Sequence, residues 1–280
     1  MVFEDLALRS VSRIHTQDFP YIDKDYSLAE ALHLMDKKKT DRVVLSESGV
    51  ARGILTLRDV IFKLGTIRTK QTTPSALHAS SFMSEPLRVV KESDTLLKAA
   101  TIMVEGGFTS VPVVGDEGAA RGLISRWELA EVLRESPEAA DLSVREFMRT
   151  PPVSVSLQTR ILHVRQLIQQ YDLSVIPVMD EGVLVGVIGV DEIARVFIKY
   201  YELARGEPKR ITPLKYIVVA DAIKLRPPKV DPESSLAEAA DSMIKNRYRA
   251  VIIEDRGKPV GIITGYELAI ALSQKRVRRL

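Results

Sequence analysis

Cysteine is absent from this chain, which excludes disulfides, thiolate metal sites and cysteine nucleophiles together. Asparagine occurs once, at Asn246. A chain short of heat-labile residues and rich in Glu, Lys and Arg is expected from a thermophile. Long apolar runs are missing too. The longest, GVLVGVIGV at 182–190, is less than half of the roughly 20 residues that a membrane span requires. The opening MVFEDLALRS is charged and does not read as a secretory signal, so a cytoplasmic protein with no membrane partner is expected. Neither sign of charge dominates: 40 Lys and Arg against 37 Asp and Glu leave +3. That balance does not announce a nucleic-acid binder, and only the tail QKRVRRL at 274–280 is locally basic.

Catalytic constellations are also missing. The four histidines (His15, His33, His78, His163) are scattered, with no pair at i and i+4. No G-x-x-x-x-G-K-[ST] phosphate loop and no G-x-S-x-G elbow occurs. The expectation is a protein that is not an enzyme, with no metal and no catalytic cofactor.

What the 280 residues do contain is one phrase written four times: GILTLRD at 53–59, GLISRWE at 122–128, GVIGVDE at 186–192 and GIITGYE at 261–267. Upstream of each copy stand the same features in the same order. Short strand signals at 20–23, 87–90, 151–154 and 228–231 come first. Helical stripes follow: Leu28, Ala31, Leu32 and Met35 fall at i, i+3, i+4 and i+7, as do Leu96 to Met103 and Leu236 to Met243. Ser27, Thr95 and Ser235 precede these stripes as natural N-caps, with Arg160 in the equivalent place of the third repeat. The third stripe also carries Arg165. A second strand, a turn, the phrase as third strand and a closing helix complete each unit. The glycines of GVLVGVIG read as close backbone packing within a strand. A β-α-β-β-α unit of about 55–60 residues buries too little surface to be stable alone, so the units are expected to pack in pairs. Chain order favours repeat one with two and three with four.

These four units, each ending in G-h-h-[T/S]-x-x-[D/E], resemble cystathionine-β-synthase (CBS) domains. SFMSEPLRVV (81–90) and EFMRTPPVSV (146–155) are similar to the family's first strand, and TSVPVVG (109–115) and SVIPVMD (174–180) to its second. The resemblance implies an α+β fold of four CBS repeats packed pairwise into two Bateman modules, a layout similar to the regulatory γ subunit of AMP-activated kinase. Polar linkers divide the chain into repeats at 1–68, 69–137, 138–204 and 205–280, the last with the basic tail.

The phrase has two readings. A hydroxyl followed three positions on by an acid is a capping box, so Thr56/Asp59, Ser125/Glu128 and Thr264/Glu267 close helix N-termini in one reading. In the other, the same N-termini seat a phosphate, and the resemblance implies that the acid takes ribose and the hydroxyl takes phosphate. Gly189/Glu192 lacks the hydroxyl. The resemblance further implies that Arg249, ahead of the fourth repeat's second strand, meets phosphate, and that Thr40 and Thr109, ahead of the first two, contact the base. Arg58 and Arg126 lie inside the phrases, and Lys37 to Lys39 and Arg42 are further cations. The function implied is a non-catalytic regulatory sensor that binds an adenine nucleotide (AMP, ADP or ATP) in clefts between paired repeats and signals to a partner protein. A homodimer is a further expected association. Two alternatives stay open: a regulator binding S-adenosylmethionine, and a nucleic-acid-binding regulator using Lys275 to Arg279.

Overall fold

The computed structural model describes residues 4–64, 74–150, 153–203 and 214–273. A short α1 (Glu4–Ala7) precedes the first repeat, which runs β1 (Tyr21–Asp23), α2 (Leu28–Lys37), β2 (Arg42–Glu47), β3 (Val50–Thr56) and α3 (Leu57–Leu64). Repeat two follows with β4 (Val90–Lys91), α4 (Leu96–Glu105), β5 (Ser110–Val114), β6 (Ala120–Ser125) and α5 (Arg126–Arg134), and α6 (Pro137–Ala140) leads out of it. Repeat three has β7 (Val155–Ser156), α7 (Ile161–Gln170), β8 (Val175–Asp180), β9 (Val183–Gly189) and α8 (Val190–Leu203). After β10 (Lys224–Leu225), repeat four has β11 (Lys229–Val230), α9 (Leu236–Asn246), β12 (Ala250–Asp255), β13 (Lys258–Thr264) and α10 (Gly265–Ser273). The α+β architecture is as the sequence implies. The basic tail and the polar linker between repeats three and four, 204–213, lie outside the described residues.

Local chemistry starts the helices where the sequence places them. Ser27, Thr95 and Ser235 each accept the backbone N–H three residues on, and Glu30 and Glu238 close the first and last as capping boxes. Arg160 makes no such bond. The off-pattern Arg165 instead donates from Nη1 to the Ile61 carbonyl of α3, 3.2 Å away.

In every repeat the first strand is parallel to the second, and the second antiparallel to the third. The ladders superimpose the four units. Arg42 faces Thr56, Ser110 faces Ser125, Val175 faces Gly189 and Ala250 faces Thr264. The residues just before the second strands are therefore Asp41, Thr109, Ser174 and Arg249. Asp41, not Thr40, is the counterpart of Thr109, which corrects the sequence alignment by one position.

Packing works at two levels. Sheet faces of repeats one and two meet through Val44, Ile54 and Leu123, and those of three and four through Val175, Val187, Ala250, Ile252 and Ile262. Helices pack across the halves: repeats one and three share one core, and two and four share another. The segments ahead of the repeats are exchanged. Thr16 bridges to Leu123, Ser84 to Ile54 and Arg149 to Ile262, while β10 pairs with β9.

That exchange explains the phrase's glycine. His15 lies on Gly122, Met83 on Gly53, Ile223 on Gly186 and Met148 on Gly261, leaving no room for a Cβ at any of them. His15 is thus a buried packing residue, its Nδ1 3.0 Å from the Val11 carbonyl.

Candidate functional site

Where the four repeats meet there is a cavity of about 550 Å³. Its walls come from the same two places in each repeat: the residues before the second strand and the start of the closing helix. Eight of its lining side chains are cationic (Lys39, Arg42, Arg58, Arg126, Arg195, Lys224, Arg247, Arg249) and five acidic (Asp18, Asp41, Glu128, Asp191, Glu192). The surplus favours an anionic occupant.

Most of these charges are already matched. Asp41 accepts from Arg42 Nε at 2.6 Å and Nη2 at 2.9 Å, and from Arg249 Nη1 at 2.9 Å. Arg249 Nε reaches Asp191 at 2.7 Å, and Arg42 Nη1 donates to the Thr109 carbonyl at 3.0 Å. One network thus ties together all four repeats. Burial pushes the Asp41 carboxyl up, but the charges of Arg249 and Arg42 outweigh it and hold it well below the carboxylate range. Burial likewise works against the Arg249 cation, and Asp41 and Asp191 more than restore it. Arg58 donates to Asp172 and to the Leu173 carbonyl, both at 2.7 Å.

Arg126 is a buried exception. It is the first residue of α5, its guanidinium 4.9 Å above the Tyr266 ring, and its Nε and Nη2 are buried with no acceptor. Its Cβ presses on Gly265, where any side chain would collide. Burial pulls its pKa down to about 10, only partly offset by Asp172 and Glu267, so it remains cationic at neutral pH. A buried guanidinium without acceptors loses solvation and gains little in return; an anion in the cavity would supply what it lacks.

The three hydroxyl–acid boxes are closed. Thr56 donates to Asp59 Oδ2 from its backbone N–H (2.8 Å) and its hydroxyl (2.6 Å), and Ser84 donates to Asp59 Oδ1 at 2.8 Å. Ser125 is bound the same way by Glu128, and Thr264 by Glu267. In the third repeat Gly189 lies against the Ser174 carbonyl, 2.6 Å from where a Cβ would stand, so no hydroxyl-bearing residue fits. Glu192 keeps half the cap through the Gly189 N–H at 3.1 Å. Burial raises the pKa of both cavity glutamates, Glu128 against its Ser125 bond and Glu192 with help from Asp191.

Of the residues singled out from sequence, Thr40, Thr56, Arg58, Thr109, Ser125, Glu128 and Arg249 all line the cavity. Asp59, Thr264 and Glu267 do not. Asp59 turns toward Ser84, and Glu267 is fully buried in an ion pair with Arg149 at 3.0 Å. Sequence reasoning missed Asp41 and Asp191, and it set Glu192 aside for want of a hydroxyl three residues before it, although Glu192 lines the cavity. Counting back from the facing strand pairs, rather than from the apolar run, would have found Asp41. Among the described residues no group of three or more His, Asp or Glu is placed to hold a metal, and no helix is long and apolar enough to cross a membrane.

Comparison with known proteins gives the same four units. The CBS domain profile matches residues 11–65, 79–135, 144–199 and 219–274. A crystal structure of a Methanocaldococcus jannaschii protein, described as a candidate archaeal homolog of γ-AMPK, superimposes with a TM-score of 0.81 at 18% identity, over 94% of this chain and 99% of that one. An uncharacterized 33.4 kDa protein from the ribosomal RNA operon of Thermofilum pendens is 22% identical over 91% of this chain and 89% of its own length. A homoserine O-acetyltransferase of Methanococcus vannielii is 25% identical over 40% of this chain but only 23% of its own length. The chain spans about a quarter to a third of the length of that protein and of two other curated relatives it matches. With four matched copies that together cover most of its length, the chain belongs to the CBS domain family.

Proposed function

We propose that this chain is a non-catalytic regulatory protein that binds an adenine nucleotide (AMP, ADP or ATP) in the cavity shared by its four repeats and signals to a partner protein. One observation carries the reading: the buried Arg126 guanidinium, its Nε and Nη2 without acceptors, in a cavity whose lining is net cationic. Phosphate oxygens match the geometry and charge of an arginine fork, which a neutral carbonyl does not. The Thr56 and Ser125 hydroxyls and Glu128 stand on the same walls, within reach of a sugar once their boxes open. The fold shared with a candidate archaeal homolog of γ-AMPK is consistent with the layout from which this reading starts. Signalling requires the ligand to bind two packings of the repeats unequally, and a cavity walled by all four is where such a difference arises.

Calorimetry with AMP, ADP, ATP and S-adenosylmethionine tests this. Arg126→Ala should weaken the phosphorylated ligands about tenfold or more, as expected for a charge-assisted hydrogen-bond pair. The positively charged sulfonium ligand should gain nothing from Arg126. No saturable binding of any adenosine compound at millimolar concentration would end the proposal, and mass spectrometry of small molecules carried through purification would identify the natural ligand.

A further inference from the structure

Arg249 occupies the position where the family resemblance expects a phosphate contact, yet it is already committed. Two of its nitrogens face carboxylates, Nη1 toward Asp41 at 2.9 Å and Nε toward Asp191 at 2.7 Å. A phosphate oxygen approaching either nitrogen competes with the carboxylate already there. The carboxylates come from two other repeats: Asp41 precedes β2 as Arg249 precedes β12, whereas Asp191 is the second residue of α8. Their side chains are 13% and 24% exposed, whereas Arg249 is 40% exposed and lines the cavity. Arg126 at another wall has no such carboxylate.

We infer that Asp41 and Asp191 are built-in anions that hold Arg249 and so determine how many phosphates the cavity accepts. This rests on the nucleotide reading above and deepens it. A ligand with one phosphate satisfies Arg126 and leaves the network intact. A longer phosphate chain takes Arg249 Nη1 only by opening its bond to Asp41. Because Asp41 belongs to repeat one, Asp191 to three and Arg249 to four, with Arg42 tying in the Thr109 carbonyl of repeat two, that one displacement loosens contacts among all four repeats. Phosphate number is thereby converted into packing, and the pair sets selectivity and signal together.

The test uses the full chain and inorganic tripolyphosphate, which needs no adenine site, titrated by calorimetry. Asp41→Asn removes the charge that holds Arg249 Nη1 and should tighten tripolyphosphate about tenfold, with a smaller change for orthophosphate. Removing any nearby negative charge would also help an anion, so two controls separate the causes. Asp18→Asn removes a cavity acid that pairs with Lys38 and should give no comparable gain. Arg249→Ala added to Asp41→Asn should cancel the gain. No gain in Asp41→Asn, an equal gain in Asp18→Asn, or a gain that survives loss of Arg249 would each overturn the inference. Where Asp41→Asn does not fold, Asp191→Asn removes the charge that holds the Nε of Arg249 and carries the same expectation. AMP, ADP and ATP titrated into the unaltered protein run in parallel: failure of all three to bind removes the nucleotide reading, while tripolyphosphate still decides the role of Asp41.

Discussion

At the scale of single residues, the Asp41 pair leaves a mark on acid stability. In the unfolded chain this carboxyl titrates near 3.9; in the fold the charges of Arg249 and Arg42 overcome burial and keep it ionised well below that. Its stabilising contribution is therefore complete above about pH 4 and declines as pH falls further, because only the unfolded chain takes up the proton. The slope from one such group is about 1.4 kcal/mol per pH unit. Urea unfolding at pH 5 and pH 3 should show Asp41→Asn losing about 1 kcal/mol less than the unaltered protein between the two. Equal losses would mean that the pair contributes nothing to acid sensitivity. Glu128 and Glu192, whose pKa burial raises, act with the opposite sign, favouring the fold below their ordinary range and losing that as pH rises; both are present in either protein and drop out of the comparison. The residue scale is also where the sequence was least legible. A phrase repeated four times invites four equal readings, but Asp59 and Glu267 are turned away from the cavity while Glu128 and Glu192 face it. Which acid faces inward depends on how repeats pack against one another, and no spacing within a repeat encodes that. Asp41 was missed for a smaller reason. Lys39, Gly107, Asp172 and Arg247 all adopt a positive φ two residues before the counted position, and only Gly107 advertises that turn in its residue type.

At the scale of elements, the repeated glycine is a contact surface rather than a loose hinge. Gly186 on β9 faces Ile223 and the Lys224 carbonyl of β10, with a Cβ position only 2.7 Å from that oxygen. A methyl group there meets backbone held in a strand pair, which cannot retreat without breaking the pair. Gly53 faces only the flexible Met83 side chain. Gly186→Ala should therefore destabilise by about 2 kcal/mol and Gly53→Ala by less, the difference read from urea midpoints at constant slope. Equal costs would show that the exchanged segment, not its backbone, yields at both places. The elements themselves were readable. Stripe, N-cap and breaker agree at Ser27, Thr95 and Ser235, and the helices begin there. The first strands were placed less well, with β4 and β7 reduced to two residues each and set at or beyond the ends of the segments expected for them. They lean on a single parallel neighbour, so little in their own sequence marks their limits.

At the scale of the whole molecule, pattern reveals a buried face but not its partner. The stripe on α9 shows that Leu236, Ala239, Ala240 and Met243 go inside. It does not show that they join α4 and α5 of repeat two in one core. The same holds for α3, packed on α8 of repeat three. Sheet contacts join neighbours in the chain, and helix contacts join the two halves. Neither half can then bury its own helices. α10 makes the case plainly: Leu268, Ala269, Ile270, Ala271 and Leu272 are all buried, leaving no polar face to show to water if repeat two is taken away. Residues 1–136 and 137–280, produced separately, should each self-associate, since a second copy offers the helix surface most similar to the missing half. Mixed in equal amounts, they should exchange into a one-to-one complex with the melting behaviour of the intact chain. Light scattering on a sizing column reads both outcomes. A half that stays monomeric and melts cooperatively on its own would mean that the cross-half cores are dispensable, and that a ligand at their junction has no packing to shift.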